Sequence, residues 1–333
     1  MKIIVDAMGG DHAPEVVIEG TVEAVKEYNI EVVLVGNQDI VEPILKKFKY
    51  DKKLISVHHA FETIEMHEPA ATSVRRKRDS SIVAGLNLVR DGQGDAFFSA
   101  GNTGAVVCAA TLSLRMLSTI ERPGIAIIFP TLKGTSMVID VGANIDPKPI
   151  QMLQYGIMAD LYCKHILGKS NPKVGLLNVG EEETKGTDFV KETFELLEKS
   201  HINFIGNVEG KEIFSGECDV IVCDGFVGNV VLKVSESLAE ALQIFLKRHI
   251  LNSFKGKIGA LLLKDNFRHF KKEIDYSEYG GAPLLGVDGV VLIGHGRSNA
   301  KAIKNAIRAA KEEVDRKFNE KIVEALSDFS KSN

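Results

Sequence analysis

Seven times along this chain, a short run of β-branched and aromatic residues leads into a polar loop and then a helical pattern. KIIV precedes DAMGGDHAPEVVIEGTVEAV, IEVVLV precedes GNQDIVEPILKKF, and DAFF precedes SAGNTGAVVCAATLSL. TSMVIDV precedes GANIDPKPIQMLQYGIMADLY, and KVGLLNV precedes GEEETKGTDFVKETFELLEK. DVIVC precedes DGFVGNVVLKVSESLAEAL, and GVVLIG precedes HGRSNAKAIKNAIRAAKEEV. Continuous apolar strands that alternate with helices predict an α/β fold: a mainly parallel sheet with helices on both faces. The units share no fixed period, which argues against a solenoid. With 333 residues and 44% hydrophobic content, residues 1–333 are expected to form one α/β domain, or two closely joined subdomains.

The polar loops all fall on the strand-to-helix side. In an open parallel sheet that side is a single edge, and ligands bind there. Helix starts add unpaired N–H groups and the positive end of a dipole. Convergence of these loops on a phosphate or carboxylate ligand is therefore the expectation, although polar loops here are also ordinary in α/β proteins.

Composition narrows the field. A net charge of −4 argues against a nucleic-acid coat. Basic residues cluster in Arg75-Arg76-Lys77-Arg78 and from Lys247 to Lys272; both are solvated faces or docking sites for an acidic partner. Cys108, Cys163, Cys218 and Cys223 lie in apolar stretches without a C-x-x-C pair, and read as reduced, buried residues of a cytoplasmic protein. Met1-Lys2 leads straight into a strand, so no signal peptide is expected. No apolar run approaches the roughly 20 residues of a spanning helix. Residues 235–279 differ: a long amphipathic pattern is followed by Phe254, Ile258, Leu261, Leu262, Leu263 and Phe267 among lysines. This helical protrusion fits an oligomer interface or a membrane surface.

Several chemistries lack their motifs. GHGRSN at 294–299 has two glycines of a dinucleotide fingerprint, but no further strand follows it. There is no G-x-x-x-x-G-K-[ST] loop and no G-x-S-x-G elbow. The histidines show no spaced ligand set, so no metal site is expected.

VDAMGGDHAPEVVIEG, RRKRDSSI, FFSAGNTGA, IDVGAN, NVGEEETKGT, CDGFVGNVVLK and YGGAPLLGVDGVVLIGHGRS occur in this order from residue 3 to about residue 310. Together they resemble the bacterial phosphate acyltransferases of phospholipid synthesis, the acyl-[acyl carrier protein]:phosphate acyltransferase family. Departures fall in variable stretches such as KYDKKLISVHHAF and the C-terminal tail. The resemblance implies a fold like that of isocitrate and isopropylmalate dehydrogenases, shared with phosphate acetyltransferase. It implies a homodimer, peripherally associated with the inner face of the cell membrane. It implies reversible transfer of a fatty acyl group from acyl carrier protein to inorganic phosphate, without a cofactor. The acyl phosphate would pass to a membrane-bound glycerol-3-phosphate acyltransferase.

That chemistry can be compared with the residues. Phosphate is itself the nucleophile, so no Ser or Cys nucleophile is needed. The site must instead bind a dianion, align it with the thioester carbon and stabilise an oxyanion. Lys185 in EEETKGT, Asn229 in DGFVGN, and Asn102 with Thr103 in SAGNTG are the candidate donors, with Gly104, Gly186 and Gly228 beside them. Lys185 could instead pair with Glu181, Glu182 or Glu183, and Asn229 could be a helix N-cap. Gly9 and Gly10 allow a close backbone approach or φ > 0. Asp11 is a candidate cap and Pro14 suits a first helical turn, leaving His12 to meet phosphate or the thioester oxygen, or else to serve a neighbouring loop. Lys77, Asp79 and Ser80 reach the site or seat the carrier's arm; Asp224 orients Asn229 or Lys185; Asp140 and Asn144 flank a strand end. Two other readings stay open: a cofactor-dependent dehydrogenase of the same fold, and a non-catalytic carrier-protein or membrane adaptor.

Overall fold

The apolar runs become strands because helices cover both sides of them. Ile3, Ile4 and Val5 of the first strand and Val220, Ile221 and Val222 of the ninth are fully buried. The computed structural model describes residues 1–273 and 279–332. Its strands are β1 (Lys2–Asp6), β2 (Glu31–Gly36), β3 (Ile55–His59), β4 (Ala96–Ser99), β5 (Gly124–Thr131), β6 (Gly134–Ile139), β7 (Val174–Leu177), β8 (Phe204–Val208), β9 (Val220–Val222), β10 (Ala282–Leu285) and β11 (Val290–Ile293). The helices are α1 (Glu15–Tyr28), α2 (Gln38–Leu45), α3 (Ala70–Arg76), α4 (Ser81–Arg90), α5 (Thr103–Ser113), α6 (Pro149–His165), α7 (Asp188–Glu198), α8 (Glu212–Ser215), α9 (Gly225–Leu251), α10 (Phe254–Leu262), α11 (Lys264–Glu273), α12 (Ala300–Asp315) and α13 (Phe318–Ser332).

The strands form one sheet in the order β3-β2-β1-β4-β11-β10-β5-β6-β9-β7-β8. β3 to β11 are mutually parallel in that order, and so are β6, β9, β7 and β8. The joint between the two sets is antiparallel. Ala282 and Pro283 of β10 pair with β11, while Leu284 and Leu285 pair with β5. β5 then forms a hairpin with β6. These three antiparallel steps reverse the direction of the second set. The strand ends thus point to two edges, which corrects the expectation of a single one.

On one face, α1 packs against α12 so closely that a Cβ on Gly20 would lie 2.6 Å from the Ile303 Cβ. On the opposite face of that half, α4 and α5 supply Leu86, Ala105 and Ala109 to the core. In the second half, α6 is buried nearly all round, with Tyr155, Met158 and Cys163 fully covered.

α9 starts at Gly225, ten residues earlier than the expected protrusion, and runs without a break to Leu251. Its Val230, Val234, Leu238 and Leu242 are exposed, as are Leu261 and Leu262 of the following helix and Leu263 just beyond it. The 274–278 portion of the expected 235–279 segment, and the Lys272 side chain, lie outside the described residues. Among the described residues, no helix is long and apolar enough to cross a membrane. All four cysteines are free; Cys163, Cys218 and Cys223 are buried, and Cys108 is only partly covered.

Candidate active site

Two loop clusters lie at the carboxyl ends of the strands. The first joins the ends of β1, β4 and β11. Asp6 closes β1 and is fully buried. It accepts the Ser99 hydroxyl at 2.7 Å and the Met8 N–H at 3.0 Å. Burial nonetheless pushes its carboxyl above the usual range. A Cβ on Gly9 would lie 2.4 Å from Asp6 Oδ2 and 2.7 Å from Gly101 N, so only glycine lets these loops meet. Gly10 has φ +112°. Asp11 ties the cluster together through its N–H, which donates to Gly296 O at 2.8 Å. It does not cap α1: Pro14 occupies the N-cap, and no side chain bonds there. His12 is exposed.

Asn102 is committed to the fold. Its Oδ1 accepts Ala105 N–H, capping α5, and its Nδ2 donates to the carbonyls of Glu65, Met66 and Glu68. This corrects the expectation of Asn102 as a free donor. Thr103 and Gly104 are exposed at the start of α5, with N–H groups that carry no hydrogen bond among the described residues. Lys77 is also committed: its Nζ donates to Thr63 O at 2.6 Å and to Glu68 Oε1 at 2.5 Å. With Ser73, it holds the Glu68 carboxyl down at about 2. Ser80 is buried and caps α4 by accepting Val83 N–H. Asp79 accepts Phe61 N–H at the surface.

The second cluster lies at the ends of β6, β9 and β7, which are neighbours in the sheet. Asp140 follows β6 and accepts four backbone N–H groups, from Ile125, Gly142, Ala143 and Asn144. Burial pushes its carboxyl up against their pull. Asn144 O accepts Gly225 N–H at 2.9 Å, docking the start of α9 on this loop, and its amide donates to Gln151 and Tyr155. Gly228 is sterically required, because a Cβ there would sit 1.9 Å from Asp140 O. Asp224 is the N-cap of α9, accepting from Phe226 and Val227 N–H. The cap position considered for Asn229 therefore belongs to Asp224, whose carboxylate serves the helix rather than Asn229 or Lys185. Asn229 is exposed in the second turn. It lies against Gly142, where a Cβ would be 3.7 Å from its own.

Lys185 and Gly186 sit on the loop after β7. Lys185 is exposed and makes no ion pair with the glutamates before it; Glu181 pairs with Lys211 at 3.0 Å instead. The structure thus groups Asn144, Asp224, Gly228 and Asn229 tightly and sets Lys185 on the loop after the neighbouring strand, β7, on the same edge. It places Gly9, Gly10, Asp11, His12, Thr103 and Gly104 in the other cluster. The two meet along α9: Glu236 Oε1 is 3.5 Å from His295 Nε2, and Glu240 is 3.5 Å from Arg297. Asp224 and Glu236 are twelve residues apart, about 18 Å of helix.

Sequence reasoning passed over Asp6, and also Asn178 and Asn207, which hold the Lys185 loop. Asp6 had a signal, a carboxylate ending a fully apolar strand before a glycine pair. The asparagines had none. Among the described residues, no group of His, Cys, Asp or Glu is placed to hold a metal.

This architecture has solved counterparts. A phosphotransacetylase from Streptococcus pyogenes superposes with a TM-score of 0.65 at 16% identity, over 94% of each chain. A 4-hydroxythreonine-4-phosphate dehydrogenase from Klebsiella pneumoniae gives 0.54 at 14% identity, over 94% of this chain and 99% of that one. They define a fold class, α/β with a mostly parallel central sheet, that hosts both transferases and dehydrogenases.

Sequence relatives are more specific. The family described as "Fatty acid synthesis protein" matches residues 1–321. The phosphate acyltransferase of Geotalea uraniireducens (strain Rf4) is 51% identical over 328 residues, 98% of this chain and 95% of that protein. That of Alkaliphilus oremlandii (strain OhILAs) is 50% identical over 98% of both. The chain belongs to the phosphate acyltransferase family and is an acyltransferase.

Proposed function

We propose that the chain transfers a fatty acyl group from the thioester of an acyl carrier protein to inorganic phosphate, reversibly, as a step in phospholipid synthesis. A phosphate oxygen attacks the thioester carbonyl carbon, the C–S bond breaks, and the phosphate's proton ends on the departing sulfur. Hydrogen phosphate and acyl thioester become acyl phosphate and thiol, with no cofactor required. The thiolate has a reference pKa of roughly 8.5, so it leaves with little acid assistance.

The observation that carries this reading is the state of Lys185. Three glutamates lie within four residues before it, yet its ammonium group is paired with none of them. A lysine kept free of adjacent carboxylates is available to a dianion. Asn229, on the same edge with an uncommitted amide, is read as the donor to the developing oxyanion. Gly186, Gly228, Asn144 and Asp224 shape this cluster. His12, Gly9, Gly10, Asp11 and the free N–H groups of Thr103 and Gly104 are read as receiving the polar part of the donor. Lys77, Ser80 and Asn102, which are committed to the fold, and the surface Asp79 are read as shaping the loops beside that cluster rather than as meeting the donor.

Residues 1–333 are read as one isocitrate dehydrogenase-like α/β domain, with 235–279 as a helical protrusion. The exposed apolar faces of α9 and α10 suit pairing of two chains and contact with the inner face of the cell membrane. An unstable, poorly soluble acyl phosphate is best released there, to a membrane-bound glycerol-3-phosphate acyltransferase. Arg75–Arg78 or the Lys247–Lys272 segment would dock the acidic carrier. The deciding experiment measures thiol release from an acyl carrier thioester with and without inorganic phosphate. Release that does not depend on phosphate overturns the reading.

A further inference from the structure

The Lys185 loop is gripped from beneath by two asparagines. Asn207 lies on β8 and is only 7% exposed. Its Nδ2 donates to Glu182 O at 3.1 Å. Asn178, directly after β7, donates its Nδ2 to Lys185 O at 3.1 Å and accepts Val179 N–H on its Oδ1 at 2.8 Å. Between these two anchored carbonyls the chain closes a turn, with Lys185 N–H donating to Glu182 O at 3.0 Å. Gly186 leaves the turn at φ +90°, and a Cβ there would lie 2.7 Å from Asn178 Oδ1. A Cβ on the buried Gly180 would lie 3.3 Å from Lys185 Cγ and 2.8 Å from Glu182 Oε2. The stem of Lys185 therefore rests on bare backbone.

One further detail separates this arrangement from ordinary packing. The Oδ1 of Asn207 is buried without a hydrogen-bond partner among the described residues. An orphaned buried acceptor is costly, and a leucine would fill similar space without it. Only the donor half of this amide has a task, and that task is the Glu182 carbonyl.

We propose that Asn207 and Asn178 are positioning residues for Lys185, holding the Glu182–Lys185 turn in the shape that presents the ammonium group to phosphate. The inference rests on the reading of Lys185 given above. A lysine stem that is already oriented loses less freedom when it takes up its ligand.

Asn207→Leu, Lys185→Ala and the double variant test it, in the full-length chain. The readouts are phosphate-dependent thiol release, hydrogen exchange at the amides of residues 182–187, and thermal melting. Asn207→Leu should cost about 10- to 100-fold in turnover or in the KM for phosphate, the usual effect of a misplaced group. It should also speed exchange at the Lys185 amide while the melt stays close to that of the unaltered chain. In the Lys185→Ala background, the same change should cost nothing more. Full activity of Asn207→Leu, or an equal loss in both backgrounds, overturns the proposal. If the unaltered chain releases no thiol with phosphate, the substrate reading falls instead. The exchange measurement then stands alone, and an unchanged rate at Lys185 overturns the clamp.

Discussion

His295 on the loop after β11 holds its Nε2 3.5 Å from Oε1 of Glu236, in the middle of α9. His295 and Lys233, hydrogen-bonded to that carboxyl, hold it below its usual range although burial pushes the other way. The contact spans the antiparallel joint of the sheet. It fixes the helix that carries Asn229 against the loop whose Gly296 carbonyl accepts from Asp11. The two loop clusters are thus held in register by one helix, not by a shared edge.

Replacing Lys185 with alanine should lower phosphate-dependent turnover by about 100-fold or more, since one charge-stabilising donor is lost. Stability should hardly change, because the side chain is exposed and makes no ion pair among the described residues. Turnover near that of the unaltered chain would remove Lys185 from the mechanism.

Asp224 and Asn229 should separate cleanly. Asp224→Ala removes the α9 cap and should cost about 1 kcal/mol of stability. Asn229→Ala leaves the cap intact, so it should lower turnover without a comparable drop in melting temperature. Denaturation and activity measured on both variants check this. A destabilised Asn229→Ala with full turnover would make it a structural residue.

Arg75 and Arg76 are exposed at the end of α3, and Arg76 is 3.9 Å from Glu68. Reversing both charges should raise the KM for an acidic carrier substrate about tenfold at low salt, and less as salt rises. An unchanged KM at every ionic strength would move docking to another face.

Leu261 and Leu263 are 72% and 49% exposed, so glutamate at both should leave the fold intact. Each leucine could contribute up to about 1.5–3 kcal/mol if fully inserted in a bilayer. The double variant should therefore stay in the supernatant when anionic vesicles are sedimented, and keep its soluble turnover. Continued sedimentation would mean that these residues are not the anchor. Conversion to a monomer would assign them to a subunit interface.

Glu313 is buried on α12, accepts the Tyr162 hydroxyl at 3.0 Å, and is pushed by burial up to about 8. The folded chain keeps this proton where the unfolded chain, titrating near 4.5, has lost it. Its contribution is full below about pH 4.5 and is lost as pH rises to about 8. Glu313→Gln removes that dependence. The variant should match the unaltered chain near pH 4 and be more stable at pH 8, by up to about 4 kcal/mol. A difference in melting temperature that does not vary with pH would show that the carboxyl is already ionised in the fold.

The strand–loop–helix units were legible in the sequence because each is a local event. A strand covered on both faces must be apolar throughout, and a helix start needs a cap or a glycine. β1, β2, β4, β6, β7, β9 and β11 all follow from that, as do the loops that carry His12, Lys185 and Asn229. Family membership was equally legible, because its motifs occupy those loops. The direction of the sheet was not. It is decided by β5 and β10, which lead into other strands and so fall outside the repeated pattern. Their pairing joins Leu285 to Gly124, residues far apart in the chain. Tertiary structure alone also decided which polar side chains are free. Asn102 and Lys77 looked like donors to a ligand, but carbonyls and Glu68 brought in by folding consume them. Lys185, a candidate donor in the sequence, could equally have paired with the glutamates before it; in the fold it makes no ion pair with them, and Glu181 pairs with Lys211 instead. Hydrogen-bond partners are assigned by what folding places within 3 Å or so, and neighbours in sequence do not reveal them.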